Sequence, residues 1–396
     1  MHIILSRNPH EITSFNDWVG DVLNEVTVIT RKEHVATYSP FFKVVGLHNY
    51  DCIDEKINAI RSVMDGNNFE INSIAAVSEF DLEEAAKCRQ IFGVGGQSLL
   101  SAKAFRNKLL MKKFVADAGI PIATYECARS LDKVKEFGET HGFPIIVKPI
   151  DGGGSANTFK LTNSNEVVEK LSSNKTHIYL CEVFIDGGMI HCDGLFEDGE
   201  LKLLSISEYI GSCLSYQVGG ALASYQLDED SQKWKTSETM LKKVLAALPC
   251  PRVMGFHAEF FIQEDGKLVF CEIASRLGGV RVIDTIEASH KTSMIEYWVR
   301  SQLNLPNLTI GKCSKDDIWG WVSIPPKEGI LTHIPDSHPF DWVRDYKTHY
   351  SASTTTKNAG TSVDSVVSYM VTANSMQEIK ERIDESVKWF TDNIKY

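Results

Sequence analysis

Residues 254–279 read MGFHAEFFIQEDGKLVFCEIASRLGG, and the way this stretch pairs with itself decides the fold. Two apolar, aromatic-rich arms flank Asp265-Gly266, a hairpin signal because glycine tolerates positive φ. With that dipeptide at the tip, Glu264 stands opposite Lys267, Phe261 opposite Phe270 and Glu259 opposite Glu272. Directly opposed residues share one face of a sheet, with Cβ atoms about 5 Å apart. Two carboxylates so placed repel, and these are set among Phe256, Phe260, Phe261, Phe270 and Ile273 rather than on a wet face. A divalent cation that prefers oxygen, Mg²⁺ above all, resolves the conflict. Arg276 follows just past the strand end, before a Gly278-Gly279 bend. A slip of one residue would carry a whole arm to the other face, so this pairing is a specific expectation.

The rest of the chain bounds what such a site can serve. Its 396 residues are enough for two to four domains with an ample core. A net charge of −11 argues against nucleic acid or an anionic membrane as partner. No apolar run is long enough to span a bilayer, and MHIILSRNPHE lacks the features of a signal peptide. The nine scattered cysteines, with no C-x-x-C pair, fit reduced thiols in a cytoplasmic protein.

Upstream, short apolar strands at His2–Ser6, Val26–Thr30, Val44–His48 and Ile74–Val77 alternate with helical stretches at Glu11–Leu23, Ile53–Met64 and Phe80–Gln90. That alternation predicts a parallel α/β sheet of Rossmann type over the first 95 residues or so. The loop GVGGQS, Gly93–Ser98, fails as a dinucleotide fingerprint, because Ser98 stands where the third glycine belongs and the first strand lies far behind; it reads as a turn joining domains. One helix is expected over Ser101–Ala118, with Lys103, Arg106, Lys108, Lys112 and Lys113 forming a largely solvated basic face. In the strand FPIIVKP, Ile146 and Lys148 share one face and Ile145 and Val147 the other, and a lone lysine on an apolar strand wants an anion. Gly152, Gly153, Gly154 and Ser155 follow directly, a run whose backbone N–H groups can close around phosphate oxygens.

Strands are expected at Ile178–Ile185, from His191 and over Leu201–Ile206, with a turn at Asp198-Gly199. Residues from Ser207 to Gln226, bearing Tyr209, Tyr216 and Tyr225, read as a long irregular loop suited to choosing a substrate. Helices are expected over Ser231–Leu248, Val280–Leu303 and Ser375–Asn393, and a strand over Ile318–Ile324, with further short strands before the last helix.

Taken in order, Lys108 before an A-G-I-P turn, V-K-P at Lys148, the Gly-rich loop, E-V-F-I-D-G, H-A-E-F and C-E-I-A-S-R-L-G-G resemble the ATP-grasp superfamily across essentially the whole chain. The resemblance implies an α/β fold, α+β in its ATP-grasp part. It implies a Rossmann-like domain over 1–96, a linker helix and lid subdomain over 97–186, a metal and substrate subdomain over 187–305, and a C-terminal β-rich subdomain over 306–396. The last of these resembles the biotin carboxylase tail.

Carried over residue by residue, the resemblance implies Lys108 and Lys148 on ATP phosphates and Gly152–Ser155 as a lid loop. Glu182, Val183, Phe184 and Ile185 would form the hinge that reads adenine, and His191 would reach the ribose. Glu259 and Glu272 would hold Mg²⁺, with Mn²⁺ as an alternative, and Arg276 would meet the transferred phosphate and a carboxylate. Ala274 stands where many members carry a metal-binding asparagine, and this E-I-A-S-R-L-G-G form resembles ligases that join amino acids, including the bacilysin-type L-amino acid ligases.

The expected activity is ADP-forming ligation of a carboxylate to an amine through an acyl phosphate, with Arg276 and Lys148 catalytic and small molecules, amino acids among them, as substrates. A carrier-protein thiol or a non-amino-acid amine is the alternative acceptor. A non-catalytic ATP-binding regulator is the alternative of another class. Neither the substrates nor the oligomeric state, a homodimer being one option, is legible in the sequence.

Overall fold

The structure is a computed structural model describing residues 1–65, 70–172, 178–313 and 317–396. The first strands are β1 (His2–Ser6), β2 (Val26–Arg31), β3 (Lys43–Leu47) and β4 (Ser73–Ala76), joined in a wholly parallel sheet of order β3-β2-β1-β4. A parallel sheet is covered on both faces, which is why Ile3, Ile4 and Leu5 are consecutive and all buried. The helix expected over Glu11–Leu23 is instead a single turn, Phe15–Trp18, followed by a 3₁₀ stretch, Gly20–Glu25. Apolar spacing marked the segment but does not carry a full amphipathic helix.

The basic helix is also two. Leu99–Arg106 ends at Asn107, whose side-chain oxygen accepts from the Leu109 and Leu110 amides and starts a second helix, Lys108–Asp117. An asparagine N-cap of this kind stabilises a helix start by about 1 kcal/mol. The break sets the direction of Lys108, whose amide bonds the Ile150 carbonyl and whose side chain turns to the Gly152 carbonyl, 2.7 Å away.

Four strands, β5 (Tyr125–Ala128), β6 (Ile145–Pro149), β7 (Phe159–Leu161) and β8 (Tyr179–Val183), form a separate antiparallel sheet of order β5-β8-β6-β7. Ile145 and Val147 are in its core, while Ile146 and Lys148 face the other way, as the alternation predicts.

The largest sheet has eight strands. It contains β9 (Gly188–Glu197), β10 (Glu200–Ile210), β11 (Leu222–Gln226), β12 (Val253–Ile262), β13 (Leu268–Ala274) and β14 (Ile318–Ile324). A small pair, β15 (Gly329–Leu331) with β17 (Thr354–Thr356), stands apart from it, and β16 (Val343–Thr348) and β18 (Val367–Ala373) complete it. The order is β13-β12-β9-β10-β11-β14-β18-β16, so the strands after residue 306 extend the sheet built by those before it. Asp198 and Gly199 both have positive φ, 53° and 85°, the turn that a two-residue hairpin requires between β9 and β10. One face packs Phe256, Phe260 and Phe270 with the helices Gln232–Ala247 and Met376–Asn393; the other packs Leu195, Leu277, Trp298 and Trp321.

The stretch expected to be a long irregular loop, Ser207–Gln226, is mostly sheet. Tyr209 lies in β10 and Tyr225 in β11, and Tyr216 sits on a short helix between them. Tyr216 is fully buried, with its hydroxyl bonded to Ser323 Oγ at 2.7 Å and to the Asp364 carbonyl, and Tyr225 is buried with its hydroxyl on Glu208. Tyr216 ties its helix to β14 and Tyr225 ties β11 to β10, and neither offers a face to a substrate. The segment expected as one helix over Val280–Leu303 divides into Val282–His290 and Met294–Gln302.

Candidate active site

The β12–β13 hairpin places the opposed carboxylates, but by a route the count along the arms misses. The turn closes over Gln263–Gly266, with the Gly266 amide on the Gln263 carbonyl at 2.8 Å and Gly266 at φ +80°. That shifts the pairing near the tip by one residue. Phe260, not Phe261, faces Phe270, their rings edge-to-face at 5.8 Å, and Ile262 faces Leu268. A β-bulge at Cys271 then restores the count, and Glu259 stands directly opposite Glu272. Without that extra residue Glu259 would face Cys271, and Glu272 would lie on the other side of the sheet. The carbonyl of the bulged Cys271 accepts from Lys112 Nζ at 3.2 Å.

Between this hairpin and the four-stranded sheet lies a cavity of about 220 Å³. Ile146, Phe184, Ile185, Met189 and Leu214 line it, giving one apolar part. Lys108, Lys148, Gly152, Gly153, Ser155, Glu259 and Glu272 supply the charged and backbone-rich part. Gly154 adjoins it with φ +59°, a conformation that favours glycine, and Ser155 also has positive φ.

The charged wall is a chain of ion pairs. Lys148 Nζ lies 2.8 Å from Glu182 and 3.6 Å from Glu272, and Lys108 Nζ lies 3.6 Å from Glu272. Lys112, expected on a solvated face, is 1% exposed and pairs with Glu182 at 2.6 Å. Burial works against ionising Glu182, but Lys112 and Lys148 outweigh it and hold its carboxyl at about 2. Burial is likewise overcome at Glu272, where Lys108 and Lys148 hold the carboxyl at about 2. Lys148 loses charge stability to burial and regains more from Glu182, so its pKa lies well above the ordinary value.

Glu259 is supported from the opposite side. Tyr209 donates to its Oε1 at 3.1 Å, and His257 Nε2 lies 3.4 Å from the same oxygen. His257 Nδ1 bonds Asp193 at 2.8 Å, and the other Asp193 oxygen meets His191 Nδ1 at 2.5 Å. Burial disfavours the His257 cation, but Asp193 and Glu259 together raise its pKa to about 10. Gly278 permits this cluster, since a Cβ there would stand 2.5 Å from Asp193 Oδ1. Ala274, in the place of the usual asparagine, pairs across the strands with His257.

Two placements differ from expectation. His191 is 1% exposed, with one ring nitrogen on Asp193 and the other on Ser224 Oγ at 2.6 Å, so no ring nitrogen is left for a ribose. Glu182 is buried in an ion-pair triad inside the sheet rather than presented at a hinge, and the Val183 amide is already on the Thr124 carbonyl at 3.0 Å. Phe184 and Ile185 do line the cavity.

Arg276 stands beyond the end of β13 and outside the cavity wall. Its Nε donates to Glu79 at 2.7 Å and an amino group to the Leu277 carbonyl at 2.8 Å. Burial opposes the Arg276 charge, but Glu79 raises its pKa. Glu79 also pairs with Arg106, whose guanidinium bonds the Asp151 carbonyl beside the Gly-rich loop. Sequence reasoning missed Glu79, Lys112, Asp193 and His257 as parts of this site. Two had a signal: Lys112 is four residues from Lys108 and so shares its helix face, and Glu79 follows the C-terminal end of a parallel strand.

Residues 105–280 match the model of the ATP-grasp domain. The L-arginine-specific L-amino acid ligase of Bacillus subtilis is 28% identical over 351 residues, 83% of this chain and 81% of that protein. Among solved structures, an L-amino acid ligase from Bacillus licheniformis superposes with a TM-score of 0.79 at 16% identity, covering 100% of this chain and 98% of that one. A carboxyaminoimidazole ribonucleotide synthase from Aspergillus clavatus, complexed with ATP, superposes with a TM-score of 0.72 at 15% identity, covering 98% of each chain. At such identities the two structures speak to the fold.

Proposed function

We propose that this chain, an ATP-grasp protein by the domain it carries over residues 105–280, is an ATP-dependent carboxylate–amine ligase that forms an amide through an acyl phosphate and releases ADP and phosphate. The observation that carries the reading is the pair Glu259 and Glu272, directly opposed on one wall of a cavity whose other walls hold Lys108, Lys148 and the Gly-rich loop. The kinship with an amino acid ligase over most of both chains supports amino acids as substrates.

The residues present fit Mg²⁺. Opposed carboxylates, hard oxygen donors in a half-enclosed cavity, gain most from a small divalent ion, and Glu272 keeps its lysines at 3.6 Å rather than in tight pairs. Bound there, the ion would neutralise charge on the phosphates during transfer. Lys108 and Lys148 would bind phosphate oxygens, with Lys148 held in place by Glu182. The amides of Gly152–Ser155 would close over the same oxygens and keep water out. The apolar part lined by Ile146, Phe184, Ile185 and Met189 would take the adenine. Arg276, fixed by Glu79, would orient the carboxylate that attacks the γ-phosphorus. The amine would then attack the acyl carbon and expel phosphate.

A screen of ADP release over single L-amino acids and their pairs, with ATP and Mg²⁺, tests the reading. The expected result is release that depends on amino acids, together with a product whose mass is the sum of the pair less water. Release indifferent to every amino acid and pair would move the reading to another acceptor. Binding of ATP with no turnover under any of these conditions would favour the regulator.

A further inference from the structure

We propose that the cleft behind the GVGGQS loop is a second ligand site, taking a small oxyanion of phosphate or carboxylate type. The loop fails as a dinucleotide fingerprint, and the ATP cavity does not use it. Gly93 caps the helix Leu82–Phe92 in the left-handed region, at φ +67°. Gly96, at φ +133°, lies flat on Arg89, where a Cβ would come within 2.8 Å of Cδ and Nε. Gly93 turns the chain off the helix, its amide on the Arg89 carbonyl, and Gly96 then lays the chain on the Arg89 guanidinium.

Arg89 is 5% exposed and has no carboxylate partner among the described residues. Its N–H groups meet only neutral acceptors: the Ile74 carbonyl at 2.8 Å, the Gln97 carbonyl at 3.3 Å and Gln302 Oε1 at 3.4 Å. Burial without an acid lowers its pKa to about 10. A buried cation in neutral surroundings is unfavourable unless an anion joins it.

Beside it opens a cavity of about 240 Å³, enough for a phosphate or a small carboxylate. Arg89, Gly95, Gly96, Arg252, Gln302 and Asn304 contribute to its wall, and no carboxylate does among the described residues. Gln302 Oε1 accepts from the Ala76 amide at 3.2 Å, which leaves Nε2 buried with no hydrogen-bond partner. An orphaned buried donor next to an uncompensated guanidinium is what an oxyanion would satisfy. Arg252 brings a second, half-exposed guanidinium; it bonds Asn304 Oδ1 at 3.0 Å and pairs with Glu197 and Asp198 at 3.6 and 3.9 Å. Ser275 also lines the cavity, takes a hydrogen bond from Gln97 at 2.9 Å, and immediately precedes Arg276.

The test uses the full chain and thermal unfolding with inorganic phosphate, and with acetate as the carboxylate arm. Phosphate at ten times its Kd is expected to raise Tm by about 2 °C. Lys148→Ala, which weakens the other oxyanion-binding cavity, should keep that rise. Gly95→Asp should abolish it by supplying a carboxylate at the cleft; its Cβ meets nothing within 4 Å, so the fold tolerates it. Arg252→Glu should act in the same direction. A rise with phosphate alone assigns the site to phosphoryl ligands, and a rise with acetate as well extends it to carboxylates. The proposal is overturned if neither anion shifts Tm, if Lys148→Ala loses the shift, or if Gly95→Asp and Arg252→Glu keep it.

Discussion

Glu272→Gln is expected to cut amino-acid-dependent ADP formation by at least roughly 100-fold, with Glu259→Gln close behind and the fold intact in both. The substitution keeps the shape of the side chain and removes the charge that the proposed metal site needs and that Lys108 and Lys148 both approach. Lys108 and Lys148 each lie 3.6 Å from Glu272, so the loss also unbalances the phosphate-binding wall. Glu259 stands one step further from the lysines, held by Tyr209 and His257, so its neutralisation disturbs the metal more than the wall. Neither change breaks the core, because both carboxylates face the cavity and Phe260 and Phe270 carry the packing of the hairpin. ADP formation and far-ultraviolet circular dichroism, measured together, check this. Full activity in either variant would contradict the metal assignment, and loss of the folded spectrum would make the pair structural.

Lys112→Met is expected to destabilise the protein by about 1–3 kcal/mol, because it leaves a buried carboxylate with one of its two cations. Lys112 and Glu182 are both nearly sealed from solvent, and only Lys148 would remain to offset Glu182. Lys148 would then be drawn more fully to Glu182 and away from Glu272 and any phosphate, so activity should fall with stability. The double variant Lys112→Met/Glu182→Leu removes the carboxylate, leaves Lys148 to Glu272 alone, and should recover part of the stability but not the activity. Chemical denaturation of the three proteins, with ADP formation assayed beside it, measures both. Equal stability of the wild type and Lys112→Met would show that the triad carries little energy, and no recovery in the double variant would assign the loss to packing.

The two cases show what the chain discloses and where it stops. Strands announce themselves by local alternation, so β6 and its lysine face, the β9–β10 turn and the strand Ile318–Ile324 could be read directly. The opposed glutamates could be read too, but only because a shifted turn and a bulge cancel. A bulge is one residue whose carbonyl finds a distant partner, here Lys112, and nothing local to Cys271 marks it. For the same reason the burial of Lys112 was hidden: a helix lysine with an acid waiting on a distant strand looks like one facing water. Ser207–Gln226 misled in the opposite sense, since its two strand segments pair with each other around a short helix, and their polar residues and intervening glycines resemble a loop. Asn107, by contrast, is a cap whose local chemistry could have divided the basic helix.

The central claim is that the carboxylate is activated by phosphorylation at this site. The direct measurement is oxygen transfer, with an ¹⁸O-labelled amino acid carboxylate turned over with ATP and its acceptor. Phosphorus-31 NMR then follows the phosphate released. The account predicts one ¹⁸O in inorganic phosphate for each amide formed, because the amine expels the oxygen that attacked the γ-phosphorus. Amide formed with unlabelled phosphate, or with the label in AMP, would contradict it.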